Sequence, residues 1–153
     1  MTIADTYNLR TYNIVKMADV ANAIDALRGV VSRSTVTTSI NTTSTSFVDT
    51  GTSVTVTVAA GQTVKATFWM HCSASTVDYP VVQLTQDGAS ASDIFYLQDV
   101  DTSSNGAILF LGGFFTWTPS AGSHTYKIQW KKNSAGTVYS DRRGLLIELV
   151  QTT

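Results

Sequence analysis

From residue 35 onward, apolar side chains recur at every second position. Val54, Val56 and Val58 alternate with Thr55 and Thr57, and Val64, Ala66, Phe68 and Met70 alternate with Lys65, Thr67, Trp69 and His71. Tyr126, Ile128 and Trp130 alternate with Thr125, Lys127, Gln129 and Lys131. Successive side chains of a strand point to opposite faces, so this period describes strands with one face in a core and the other in water, the habit of antiparallel sheets. Turn formers interrupt the pattern: "AAGQ" at 59–62, "DG" at 87–88, "NG" at 105–106, "PSAG" at 119–122 and "SAG" at 134–136. Strands are predicted near 35–40, 45–49, 53–58, 63–71, 80–86, 93–99, 107–117, 123–132 and 144–151. The fold class that follows is all-β, an antiparallel sandwich of about 8 strands, with the jelly roll as its simplest closure. The last strand is apolar on both faces, Leu145, Ile147 and Leu149 on one and Leu146 and Val150 on the other. Such a strand is expected to be central or to lie against a partner. Trp69 and Trp117 are expected to face outward and, with Leu146 and Val150, to form an interface between copies.

The first 31 residues have a different period. In "MADVANAIDALRG", Met17, Val20, Ile24, Leu27 and, beyond it, Val31 are spaced 3, 4, 3 and 4 apart, one stripe of a helix. Ala18, Ala21, Ala23 and Ala26 favour that helix, and Gly29 is suited to end it. Two competing roles fit the stripe: packing on the chain's own β-domain, or packing on symmetry mates or another protein. Before the helix, Tyr7, Leu9, Tyr12 and Ile14 lie in a segment without a clear period and read as a docking arm. The chain therefore divides into an arm and helix, residues 1–31, and a β-domain, residues 32–153.

Composition narrows the function. Charged residues are only 14%, while apolar residues reach 43%, so the chain is built to fold around a core and takes its polar surface from hydroxyls. Net charge is −1 and the basic residues are scattered. Lys131, Lys132, Arg142 and Arg143 form the only local clusters, read as solvated loop charges; a nucleic-acid partner, which needs a basic stripe, is not expected. Cys72 is the single cysteine, so no intrachain disulfide forms, and assembly in a reducing cytoplasm is compatible with that. Neither a signal peptide nor a membrane-spanning run is read, so no membrane partner is expected.

The chemistry-bearing residues do not converge. His71 and Cys72 are neighbours on a strand and so point to opposite faces, which argues against a shared metal. His124 is the only other histidine available to pair with Cys72 as a nucleophile. Asp87, Asp93, Asp99, Asp101 and Glu148 could supply a glycosidase-like carboxylate pair, but the aspartates fall in turns, where they accept from backbone. Asp99, Asp101, Ser103 and Asn105 open like a calcium loop; Ser104 and Phe110 then stand where such a loop needs Gly and Glu. No enzyme activity and no cofactor are expected.

The segments "TPSAGSHTYKIQWKKNSAGTVY" and "RRGLLIELV" are similar to the C-terminal half of small jelly-roll domains in tailed-bacteriophage virion proteins. There a Pro-x-Ala-Gly-x-His-Thr-Tyr-x-x-x-Trp strand leads through a Gly-containing turn to a Leu/Ile-rich strand. The stretch "STSFVDTGTSVTVTVAAGQTVKATF" resembles the matching N-terminal hairpin, and "KMADVANAIDAL" resembles the helix before the barrel in fibre and accessory proteins. The resemblance covers most of residues 16–150 and carries no catalytic signature. It implies a jelly roll that trimerises, broadly like tumour-necrosis-factor and C1q heads, on the virion surface after assembly in the host cytoplasm. The chain departs from fibre proteins in having no long shaft. That favours a capsid decoration, cement or accessory protein whose arm binds a major capsid or tail protein. The rival expectation is a receptor- or glycan-binding module at a tail or fibre tip, with Trp69, Trp117, Tyr96 or Tyr139 as platforms near Asn105 or Asp101.

Overall fold

Period-2 alternation is realised as strands at 54–58, 64–71 and 125–131, whereas the strand expected near 35–40 is broken at residues 37–39. The computed structural model describes residues 31–74, 79–91, 95–96, 109–133 and 135–150. They form β1 (Val31–Val36), β2 (Ile40–Thr42), β3 (Val48–Val58), β4 (Thr63–Ala74), β5 (Pro80–Gln86), β6 (Ala89–Ser90), β7 (Phe95–Tyr96), β8 (Leu109–Trp117), β9 (Gly122–Lys132) and β10 (Val138–Val150). The expected helix and arm, with Tyr7, Leu9, Tyr12, Ile14, Met17, Val20, Ile24 and Leu27, lie outside the described residues. Val31, read as the last position of the helical stripe, opens β1 instead, opposite Glu148 of β10.

Two five-stranded antiparallel sheets face each other. The first runs β1-β10-β4-β8, with β2 also on β10; the second runs β3-β9-β5-β6, with β7 also on β5. From β3 to β5 and again from β8 to β10, consecutive strands change sheets, so pairing partners are distant in sequence. What joins the layers is burial between them. Phe68, Met70, Leu145 and Ile147 from the first sheet meet Leu84, Tyr126, Ile128 and Trp130 from the second, all fully buried. β10 lies between β1 and β4, so the strand that is apolar on both faces is central in its sheet.

Two of the predicted turns have the chemistry expected of them, while the "NG" turn at 105–106 lies outside the described residues. Asp87 and Gly88 both have positive φ, 51° and 88°, the hairpin geometry that "DG" favours, and β6 follows the turn. At "AAGQ", Gln62 N donates to Ala59 O and Ala59 N donates to Gln62 Oε1.

Two bulges revise the strand plan. The strands expected at 45–49 and 53–58 are one strand, β3, whose register against β9 shifts between Asp49 and Ser53. The strand expected at 144–151 begins at Val138, and its register against β4 shifts between Ser140 and Arg142. In β3 two extra residues leave the alternation intact, whereas in β10 a single extra residue reverses it beyond the bulge. Val138 and Ser140 face inward before the bulge; Arg143, Leu145, Ile147 and Leu149 face inward after it. Arg143 is therefore not a solvated loop charge. It is buried, and its Nε and Nη1 donate to the carbonyls of Thr50 (2.7 Å) and Thr38 (2.8 Å), tying β10 to β3 and to the β1–β2 loop. Burial pulls its guanidinium below the usual arginine range.

Candidate functional site

Register decides what the outer face of the first sheet displays. On β4, Lys65, Thr67, Trp69 and His71 point outward. Beside them on β8 stand Thr116, Phe114, Gly112 and Phe110, and on β10 Glu148, Leu146, Gly144 and Arg142. Trp69 thus lies between two glycines. A β-carbon at Gly144 would stand 2.4 Å from the indole Nε1, so the ring lies directly on that backbone. A β-carbon at Gly112 would stand 3.2 Å from Phe110 Cε1, and the Phe110 ring is nearly parallel to the indole, at 10° with centroids 6.4 Å apart. Phe110 and Phe114 are 69% and 64% exposed. Lys65 Nζ sits 5.7 Å from the Phe114 centroid and 3.1 Å from Glu148 Oε2. Leu146 is half-buried on this face and Val150 exposed at its end.

Trp117 does not belong to this surface. On β8 the odd positions face the core, so Trp117 points inward, half-buried. Its ring meets Tyr126 edge-on at 5.3 Å, and its Nε1 donates to Gln86 Oε1. Phe110 and Phe114, which sequence reasoning passed over, take the outward positions. Parity puts Phe110, Gly112 and Phe114 on one face of β8 but does not say which face turns outward, because Leu111, Phe115 and Trp117 share the other.

Next to the aromatic strip, at the bulge, a cleft of about 280 Å³ opens between β4, β10 and the β1–β2 loop. Ser39, His71, Ser73, Tyr139, Ser140 and Asp141 line it over the Cys72 position. His71 Nδ1 and Asp141 Oδ1 are 2.5 Å apart, and this contact holds the Asp141 carboxyl below the usual carboxylate range. Tyr139 is 40% exposed.

His124 serves a different end of the molecule. It is buried at the start of β9, with Nδ1 2.7 Å from Asp87 Oδ2 and Nε2 2.8 Å from Ser120 O. Both ring nitrogens face acceptors, which suits the imidazolium. Gln86 Nε2 also lies 3.1 Å from Nδ1, but the Trp117 N–H fixes Gln86 Oε1 as acceptor and turns its amide N–H toward the ring. Two donors cannot share one bond there, and the shorter carboxylate contact prevails. His124 is raised chiefly by Asp87, and Asp87 is lowered chiefly by His124 and then by the Thr125 N–H that it accepts.

The remaining candidates stay apart. Asp87 is taken up by His124, and Glu148 by Lys65. Asp93, Asp99, Asp101, Ser103, Ser104 and Asn105 lie outside the described residues, as does the Tyr96 side chain. Cys72 is buried on the core side while His71 points out, as strand alternation predicts. Burial pushes its thiol up to about 12. No group of three or more His, Cys, Asp or Glu among the described residues is placed to hold a metal ion, and no helix among them is long and apolar enough to cross a membrane.

These features define the class: a two-sheet antiparallel β-sandwich with an exposed aromatic strip and a polar cleft on one face. No protein-family model and no curated protein sequence matches the chain. Solved structures do resemble it. The VP2 subviral particle of infectious bursal disease virus is similar at 11% identity and a TM-score of 0.48, over 81% of this chain and 33% of that one. Dimeric latent PorU from Porphyromonas gingivalis is similar at 8% identity and a TM-score of 0.44, over 81% and 13%. A family 35 carbohydrate binding module from an environmental isolate is similar at 14% identity and a TM-score of 0.36, over 82% and 84%. The chain spans about a third of the length of the infectious bursal disease virus chains it matches. No residue role is carried over from any of them.

Proposed function

We propose that this protein is a non-enzymatic structural component of a bacteriophage particle, a capsid decoration, cement or accessory protein that works by assembly. Copies associate as a homotrimer through the outer face of the first sheet, with Trp69, Phe110, Phe114, Leu146 and Val150 at the contact. The observation that carries this reading is the exposure of Phe110 and Phe114 beside Trp69 on one sheet face. Water penalises a contiguous apolar surface, and burial against a like surface relieves the penalty. The flanking Lys65–Glu148 pair gives such an interface a polar rim. Residues 1–30 attach the domain to a major capsid or tail protein at the virion surface. The order β1-β10-β4-β8 facing β3-β9-β5-β6 supports a jelly roll as the form of the sandwich.

Light scattering on the purified full chain tests the assembly. A mass three times 16.5 kDa is expected, falling toward the monomer in the Phe110→Ser, Phe114→Ser double variant. A wild-type monomer at all accessible concentrations overturns the trimer, and absence from purified particles overturns the virion role. Removal of residues 1–30 is expected to leave the sandwich folded and to abolish attachment.

A further inference from the structure

We propose that the cleft at the β10 bulge is a binding site for one uncharged sugar ring, the terminal unit of a glycan. The proposal goes beyond the assembly reading and does not depend on it: the cleft borders the aromatic strip at His71, which lies opposite Phe110, but none of the strip residues lines it.

The bulge is the starting point. Ser140 pairs with Cys72 and Arg142 pairs with His71, so Asp141 is the inserted residue with no position opposite it. Bulges re-aim side chains, and this one swings a carboxylate onto the His71 imidazole of the next strand. The pair adds little to folding. His71 and Asp141 are 30% and 48% exposed, and ion pairs at such positions are worth a fraction of a kcal/mol, roughly 0–1. The parity change at the bulge seats Arg143 in the core, but it does not require an acid at the inserted position, so the carboxylate beside the imidazole lacks a stability rationale.

It has a recognition rationale. The carboxylate holds one imidazole nitrogen and thereby orients the other. The ionised carboxylate only accepts hydrogen bonds, so it selects hydroxyl donors, and the neighbouring Arg142 balances its charge, so the site favours a neutral ligand. Ser39 and Ser73 add hydroxyls that both donate and accept. Tyr139 supplies an exposed ring against which the C–H face of a pyranose can stack. A ligand meeting all of these is compact, neutral, rich in hydroxyls and apolar on one face. The volume of about 280 Å³ lies at the lower end of small-molecule sites and matches one ring rather than a chain.

The test is a titration of the isotopically labelled full-length protein by NMR with glucose, galactose, mannose and N-acetylglucosamine in turn. N-acetylneuraminic acid serves as the anionic comparison and glycerol as the acyclic one. At least one neutral pyranose is expected to give saturable shifts at the amides of 71–73 and 139–141, with a Kd on the order of 1 mM. Tyr139→Ala and Asp141→Asn should each weaken that binding about tenfold, while Thr57→Ala, exposed on the other sheet, leaves it unchanged. Tyr139 is exposed, so its variant keeps the test valid even where Asp141→Asn disturbs the bulge. No saturable shift with any pyranose, or shifts that persist in Tyr139→Ala, overturns the site. Tighter binding of N-acetylneuraminic acid overturns the neutral ligand, and equal binding of glycerol overturns the ring.

Discussion

The indole of Trp69 rests on the backbone of Gly144 in the neighbouring strand, so closely that a β-carbon there would lie 2.4 Å from Nε1 and 2.5 Å from Cε2. The glycine is what allows a large ring to lie down on the sheet instead of standing away from it.

Gly144→Ala should therefore expel the indole from its seat. The atoms in conflict are the far end of an outward side chain, so the loss of stability should be modest, about 1 kcal/mol. The optical effect should be larger, a red shift of tryptophan emission. Trp117 and Trp130 point inward and contribute a constant background. An unshifted spectrum would show that the ring does not depend on that glycine.

Arg143 is expected to be among the most sensitive positions. Arg143→Met keeps much of the volume but leaves the carbonyls of Thr50 and Thr38 without their donor. The cost should be about 3 kcal/mol, because both lost bonds are charge-assisted and the Thr50 carbonyl is left buried without a donor. Arg143→Lys should rescue only part of it, since one ammonium cannot reproduce the planar fork. Urea unfolding checks both: the midpoint should fall with the slope unchanged.

The His124–Asp87 pair predicts a stability window in pH. His124 is raised in the folded state, so its contribution is complete below its ordinary value of 6.5 and is lost as pH rises through the raised value. Asp87 is lowered, so its contribution is complete above 3.8 and is lost as pH falls through the lowered value. The stability difference between wild type and His124→Gln should be greatest between these two values and should shrink on the alkaline side. A difference that does not vary with pH would exclude the imidazolium.

Cys72 should be inert in the native protein. Its thiol is buried and pushed up to about 12, so almost no thiolate exists near neutral pH. Iodoacetamide at mildly alkaline pH should label it only as fast as the sandwich opens, and quickly in denaturant. Rapid labelling under native conditions would contradict the burial.

Local pattern was enough to read the strands. The Val/Thr alternation of β3, the Phe68–Met70 run of β4 and the Tyr126–Trp130 run of β9 have one apolar and one polar face each. Their inward sets follow from the sequence because only one assignment buries the apolar side. The "DG" turn was legible for the same reason: positive φ is a property of the residues themselves. β8 is different. Phe110 and Phe114 on one face compete with Leu111, Phe115 and Trp117 on the other, so periodicity could not decide that Trp117 turns inward. The opposing sheet decided it, through Tyr126 and Gln86. The bulge in β10 was equally hidden. It depends on how β4 and β10 align, and by shifting parity it sends Arg143 into the core and Asp141 to His71. The sequence by itself determined the class of fold and most strand cores, because alternation is a local property of the chain. Only the tertiary structure decided the surface that matters for function, because Trp69 meets Gly112 and Gly144, and His71 meets Asp141, across strands far apart in sequence.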